Sequence, residues 1–199
     1  MIGRAGRVAA AAIALVGWVG LAAQFGATHA LGHTAVETLW ILLRYFTILT
    51  NLVVAATMTT IALGRIASPS WIGGVTLAIL LVGIIDATLL RGMPQLTGAA
   101  HLADILLHKV SPLAVPLWWL AFGTKGQLTA RDPLLWMLAP LAYFTYALVR
   151  GGIDGKYAYS FIDVAQHGWP PVLLTAVLIA SAFVAAGFAL LLLDRRLGR

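Results

Sequence analysis

Two groups of polar residues interrupt an otherwise apolar sequence. In each group the polar side chains occupy the first, fourth and eighth positions of a short stretch, a spacing that puts them on one face of a helix. Ionisable groups are costly in an apolar environment, so a chain that keeps them there usually uses them. The groups are Arg44, Thr47 and Asn51 in the first stretch, and His101, Asp104 and His108 in the second.

These residue types suggest nucleophilic chemistry. A threonine hydroxyl such as that of Thr47 is a weak nucleophile, and a neutral histidine such as His108 is the usual base that removes its proton. A carboxylate would fix the tautomer of the histidine and stabilise the imidazolium, and either Asp104 or Asp86 could provide it. Arg44, less than one helical turn before Thr47, could bind a substrate carboxylate or stabilise an oxyanion. We therefore predict an acyl-transfer site that contains these five residues.

A zinc site is the alternative chemistry for the second group. His101, Asp104 and His108 have suitable ligand types, and Asp86 or His167 could complete the coordination. His101 and His108, however, are seven positions apart. Seven helical residues rise by about 10 Å, which is too far for both imidazoles to bind one ion in a regular helix. The spacing favours proton transfer, and we predict no metal or other cofactor.

Other residues near these groups have structural interpretations. Thr47 and Asn51, taken singly, are of the type that joins helices within membranes by hydrogen bonds. Pro112 has no N–H to donate to the carbonyl of His108, so we expect the helix to open there. Lys109 falls away from the polar face in a regular helix, and we expect it to be paired or to extend towards the membrane surface.

The segments that carry these residues indicate an integral membrane protein. The chain has 199 residues, of which 61% are hydrophobic and only 10% are charged, and its mean hydropathy is +0.93. Apolar runs of about 20 residues recur, each long enough to cross a bilayer. We predict an all-α, polytopic membrane protein with one domain over residues 1–199. The six predicted spans are residues 8–26, 36–64, 71–91, 100–122, 134–150 and 170–193.

Charge outside the spans predicts the orientation. Eight basic residues fall on the side that holds both termini and three on the other, so the positive-inside rule places both termini in the cytoplasm. The eight are Arg4, Arg7, Arg65, Lys125, Arg131, Arg195, Arg196 and Arg199, and the three are Arg91, Arg150 and Lys156. This clustering at helix ends indicates no nucleic-acid partner. We interpret the first run as a span rather than a cleaved signal peptide, because it is long and lacks a good cleavage site.

This topology predicts a common depth for the polar residues. Thr47, His108 and Asp86 would each lie within the outer leaflet, with His108 roughly 12 Å from the outer surface at 1.5 Å rise per residue. A lipid substrate could reach this layer laterally. The inner half of the spans carries threonines but no charge, which favours a one-sided pocket over a transport path.

Several local signals predict where helices begin and end. Thr34 and Glu37 form a capping box before the second span, and Ser68-Pro69 has the pattern of a helix N-terminus. Trp169-Pro170 is expected to open the last span. Gly151-Gly152 is expected to close the fifth.

The chain resembles the bacterial Pr6Pr membrane proteins, which are distant relatives of the animal androgen-induced and ADTRP-like (FAR-17a-like) membrane threonine hydrolases. Together the similar stretches cover most of the chain after residue 40. They are residues 44–51 (RYFTILTN), 103–112 (ADILLHKVSP), 125–126 with 131–132, 143–151 and 155–163 (GKYAYSFID).

The resemblance implies that Thr47 is a nucleophile and His108 its base. It further implies hydrolysis of acyl-chain substrates such as fatty acid esters of hydroxy fatty acids, in a bacterial inner membrane. Arg44, Asn51 and His101 are then candidate substrate-binding residues. So are Tyr157 and Tyr159, in a loop that lacks the two prolines usual in the bacterial group. A small transporter or lipid-binding protein without enzymatic activity remains the alternative.

Overall fold

The computed structural model describes residues 2–65, 67–90 and 96–198, and every regular element within these ranges is helical. The described chain divides into two compact units, Met1–Lys125 and Gly126–Arg199. The first unit contains all the residues of the two polar groups. The single domain expected from the sequence stays a prediction.

The first unit is a helical bundle built around α1. Helix α1 packs against α3 and α5, and α4 packs against α6. Gly17 lets α1 approach α3 closely, since a Cβ atom there would lie 3.0 Å from that of Ala55. The helices are α1 (Arg4–His29), α2 (Ala35–Leu42), α3 (Phe46–Ala62), α4 (Pro69–Thr88), α5 (Gly98–Asp104) and α6 (Ser111–Phe122), with a π-helical segment (Ile105–Val110) between α5 and α6.

Local capping explains where two of these helices begin. The Thr34 side chain accepts a hydrogen bond from the backbone of Glu37, whose carboxylate accepts one from the backbone of Thr34, so the predicted capping box is confirmed. Ser68 caps α4 through the backbone N–H of Trp71, with Pro69 in the first turn, as expected. Both caps provide acceptors for N–H groups that have no partner inside the helix.

The second predicted span is not the single continuous helix that the sequence suggested. Helices α2 and α3 are bent by 98° at residues 43–45, and Tyr45 has extended backbone angles. No proline or glycine lies at this break. The bend lets Leu42 of α2 and Ile48 of α3 join one buried cluster with Leu107 of the π-helical segment. Because the break falls at Arg44, this residue does not share a helical face with Thr47.

The π-helical segment marks the point where Pro112 was expected to open the helix. The backbone N–H of Ser111 bonds to the carbonyl of Leu106, five residues earlier. In this register the next donor would be the nitrogen of Pro112, which carries no hydrogen, so the carbonyl of Leu107 has no helical partner. The disruption is therefore a short change of helical register rather than a simple gap.

The second unit contains α7 (Asp132–Trp136), α8 (Leu138–Asp154), a 3₁₀ turn (Ser160–Ile162), α9 (Val164–His167) and α10 (Trp169–Leu197). Trp169 opens α10 as predicted. The predicted end of the fifth span at Gly151-Gly152 is wrong, because α8 continues to Asp154. It ends at Gly155, whose φ of 69° is the left-handed conformation that glycine adopts readily.

Five helical stretches are long and apolar enough to cross a membrane, and the bent α2–α3 pair would be a sixth if it forms one span. The five are Arg4–His29, Pro69–Thr88, Gly98–Phe122, Asp132–Asp154 and Trp169–Leu197. The predicted end of the third span at residue 91 lies outside the described residues, as do Arg91 and Arg199 of the charge count.

Candidate active site

Thr47 and His108 are brought together across the first unit. Oγ1 of Thr47 lies 3.2 Å from Nε2 of His108, within hydrogen-bonding distance. Thr47 is buried in the first turn of α3, and His108 comes from the π-helical segment. The two residues are 61 positions apart in the sequence, so only the packing of α3 against this segment makes the pair.

Asp104 lies on the other side of the imidazole. Its Oδ1 is 2.9 Å from Nδ1 of His108, at ion-pairing distance, although Nδ1 has no aligned hydrogen bond. A proton on Nδ1 would face this carboxylate and would leave Nε2 free to accept the hydroxyl proton of Thr47. The order of groups is thus hydroxyl, imidazole, carboxylate. Catalytic hydrogen bonds are often poorly aligned without a substrate and tighten when one binds.

Asp86 of α4 faces Lys109 rather than the imidazole nitrogen. Oδ2 of Asp86 forms a close ion pair with Nζ of Lys109, and the same ammonium lies 3.8 Å from Oδ2 of Asp104. Of the two carboxylates that the sequence suggested, Asp104 therefore has the geometry of the group that orients His108. Asp86 neutralises the neighbouring cation.

Asn51 connects the nucleophile's helix to the π-helical segment. Its Nδ2 donates to the carbonyl of Thr47 at 2.9 Å and to the carbonyl of Leu107 at 3.3 Å. The second acceptor is the carbonyl left without a helical partner by Pro112. Asn51 is fully buried, so a lost donor there could not be replaced easily by water. Its contacts are those of a residue that holds Thr47 and His108 in register.

Four predicted site residues remain, two in each unit. Arg44 is buried in the turn that leads into α3, less than one helical turn before Thr47. His101 is exposed on α5. Tyr159 belongs to the second unit, where it stacks on Phe161 with ring centroids 5.2 Å apart. Tyr157, in the same unit, packs against Gly151. The predicted binding roles of all four stay predictions.

The potential metal ligands differ from those proposed from the sequence. Among the described residues, ligand atoms of Asp86, Asp104 and His108 come within 4.8 Å of one another, and His101 is not part of this group. The ammonium of Lys109 contacts both carboxylates of the group. The ammonium of Lys109 thus occupies the position in which a metal ion bound by the two carboxylates would lie.

Lys109 is paired, as the sequence analysis expected, but it lies near Asp104 and not away from the polar face. In a regular α-helix it points away from Asp104, but a π-turn closes from residue i to residue i+5 and returns Lys109 to the side of Asp104. The i, i+4 pair Asp104–His108 and the i, i+5 pair Asp104–Lys109 are therefore made together. A proline shortly after both basic residues was the available signal, since it indicated a disturbed helix at this point.

No protein-family model matches the chain, and no curated protein or solved structure matches it either. The geometry of the hydroxyl, imidazole and carboxylate is thus the observation from which a function can be argued.

Proposed function

We propose that this protein is a membrane-embedded lipid ester hydrolase in which Thr47 is the nucleophile and His108 the general base. The separation of 3.2 Å between Oγ1 of Thr47 and Nε2 of His108 is the observation that supports the proposal. It lies at the long end of catalytic hydrogen bonds, as expected without a substrate in place. Asp104 would hold the imidazole in the tautomer that accepts a proton at Nε2.

The proposed reaction is acyl transfer in two steps. Nε2 of His108 takes the proton of Thr47 as Oγ1 attacks the ester carbonyl carbon, and the same proton then passes to the departing alkoxide, which leaves as an alcohol. Water, activated by His108, then attacks the acyl-threonine, which releases the fatty acid and regenerates the hydroxyl. Asp104 stabilises the imidazolium in both steps without taking its proton.

The first turn of α3 would stabilise the negative oxygen that forms in each step. The bend at residues 43–45 makes Thr47 the second residue of a helix, and helix N-termini carry partial positive charge. Arg44, buried in the same bend, adds a full positive charge to this region. Its proposed role is to stabilise the oxyanion or to bind a carboxylate on the substrate. The bend thus gives the nucleophile an electropositive surrounding that a straight helix would lack.

The proposed substrate is a fatty acyl ester that enters from the bilayer. Six spans with both termini in the cytoplasm would place Thr47 and His108 in the outer leaflet of a bacterial inner membrane, at the depth of acyl chains. The resemblance to Pr6Pr proteins suggests fatty acid esters of hydroxy fatty acids as the substrate class. His101 would contact the substrate near the surface, and the resemblance makes Tyr157 and Tyr159 further candidates for substrate binding.

Covalent labelling of the purified full-length protein by a fluorophosphonate tests the nucleophile directly. We expect modification of Thr47, located by mass spectrometry, and none in a Thr47→Val variant, which keeps the shape of the side chain. His108→Ala should slow labelling by about 10²- to 10⁴-fold, the usual contribution of a general base. Unmodified Thr47 in folded protein, or undiminished labelling in His108→Ala, would refute the proposal.

A further inference from the structure

Lys109 carries the positive charge closest to the Asp104–His108 pair among the described ion pairs. Its ammonium forms a close ion pair with Asp86 and lies 3.8 Å from the carboxylate of Asp104. The carboxylate of Asp104 therefore has two neighbours, since Oδ1 faces the imidazole and Oδ2 faces the ammonium. Two contacts restrict the rotation of a carboxylate more than one contact does.

The carboxylates of Asp86 and Asp104 require a nearby cation such as the ammonium of Lys109. Potential ligand atoms of Asp86, Asp104 and His108 come within 4.8 Å of one another, and two carboxylates at such distances repel each other unless a positive charge lies nearby. Two carboxylates and an imidazole also form the kind of ligand set that binds a divalent ion such as zinc. In this chain the ammonium of Lys109 contacts both carboxylates.

The position of Lys109 depends on the π-helical segment. A regular helix would place His108 near Asp104 but direct Lys109 away from it, whereas the i to i+5 register keeps both near Asp104. Pro112 removes one donor of this segment, and Asn51 supplies a substitute for the carbonyl of Leu107. Such short π-helical insertions are frequent at functional sites. Here the insertion has a definite effect, which is to add a cation to the histidine–carboxylate pair.

We propose that Lys109 is a positioning residue of the hydrolase site and its built-in cation. Its ammonium does what a metal ion would do in this ligand set, because it neutralises Asp86 and fixes Asp104 against His108. The positioning role rests on the proposed function, but the cation role does not. Removal of the ammonium should therefore weaken the Thr47 site and also turn the three remaining groups into a divalent-cation site.

Cobalt titration of the purified full-length protein tests the cation role without any catalytic readout. Co²⁺ is the probe, because its visible absorption reports coordination by protein ligands. We expect the wild-type protein and Lys109→Arg to show no saturable spectrum, and Lys109→Met to bind one Co²⁺ per chain. The double variant Asp86→Asn, Lys109→Met is the matched control, since it lacks both the ammonium and one ligand, and it should bind at least 10-fold more weakly.

Fluorophosphonate labelling of Thr47 tests the positioning role in the same variants. In metal-free buffer, Lys109→Met should be labelled about 10- to 100-fold more slowly, the usual effect of removing a group that orients a functional histidine. Lys109→Arg, which keeps the positive charge, should regain most of the rate. If Lys109 were merely structural, its substitution would alter the melting temperature. The arginine variant would then not restore the labelling rate selectively.

The two experiments separate the possible failures. Unchanged labelling in folded Lys109→Met, or no gain of Co²⁺ binding, overturns the proposal for Lys109. Absence of Thr47 labelling in the wild type refutes the hydrolase function, and the cobalt titration then still decides whether Lys109 is the cation of this cluster. If Lys109→Met does not fold, Lys109→Gln replaces it with a neutral polar side chain of similar length.

Discussion

Substitution of Gly83 by alanine should displace α4, which carries Asp86, relative to α6, and the size of this displacement can be calculated. A Cβ atom at Gly83 would lie 2.7 Å from Cβ and 3.2 Å from Cγ of Pro112. Carbon atoms in van der Waals contact prefer about 3.5–4.0 Å, so α4 and α6 would have to separate by about 1 Å. The proline ring cannot rotate away. Asp86 lies three residues after Gly83 in α4 and would move with it relative to Lys109 and His108.

Two opposing free-energy contributions set the expected stability. Overpacking a close helix contact costs about 1–3 kcal/mol, whereas alanine in place of a helical glycine gains about 0.5–1 kcal/mol. We expect Gly83→Ala to lower the free energy of unfolding by about 1 kcal/mol on balance. A misplacement of about 1 Å can also reduce a catalytic rate by about 10²-fold. The rate of Thr47 labelling should therefore fall by up to about 10²-fold, although the free energy of unfolding changes by only about 1 kcal/mol.

Gly26→Ala provides the matched control for this variant. Gly26 also lies within a long helix of the first unit, but an added Cβ atom there meets nothing within 4 Å. Thermal unfolding in detergent should show a lower melting temperature for Gly83→Ala and an equal or higher one for Gly26→Ala. Labelling rates should fall only in the former. If Gly83→Ala is as stable and as reactive as the wild type, the inferred packing of α4 on α6 is wrong.

Two further substitutions test local packing. Asn51→Leu keeps the side-chain size but removes the side-chain donor to two buried backbone carbonyls, of which that of Leu107 has no helical partner, so the free energy of unfolding should fall by about 1–3 kcal/mol; an unchanged denaturation midpoint would contradict this role. Gly151→Ala should destabilise the second unit, because an added Cβ atom would collide with the ring of Tyr157, whereas its neighbour Gly152 has no atom within 4 Å of such a Cβ. Thermal unfolding of the two alanine variants compares them directly, and equal melting temperatures would show that the ring moves aside freely.

Some features of the fold could be predicted because their causes are local. The capping box of Thr34 and Glu37 and the N-terminus at Ser68-Pro69 each depend on side chains within three or four residues of the backbone groups they satisfy. The disturbance near His108 was predictable for the same reason, since Pro112 lacks a donor wherever it lies in a helix. The end of α8 was missed because Gly151 and Gly152 are tolerated inside the helix, and Gly155 provides the left-handed turn.

The candidate site could be predicted only in part. Thr47, Asp104 and His108 were identified as candidates from their residue types and spacing, and they lie together in the structure. The choice between Asp104 and Asp86 required the position of α4, which no spacing within one helix can give. Lys109 was misplaced because the periodicity of a regular α-helix was applied across a π-helical segment.

The sequence by itself determined the helical class, the length and apolar character of the candidate membrane spans, and the types of chemical group available within them. These follow from local composition and from side chains near each helix end. Only the tertiary structure decided the 98° bend between α2 and α3. No proline or glycine lies at the bend, so the sequence does not predict it. The bend is stabilised by a cluster that joins Leu42 and Ile48 to Leu107. The free energy that stabilises the bend therefore comes from contacts between residues distant in sequence. The same packing brings Thr47 to His108.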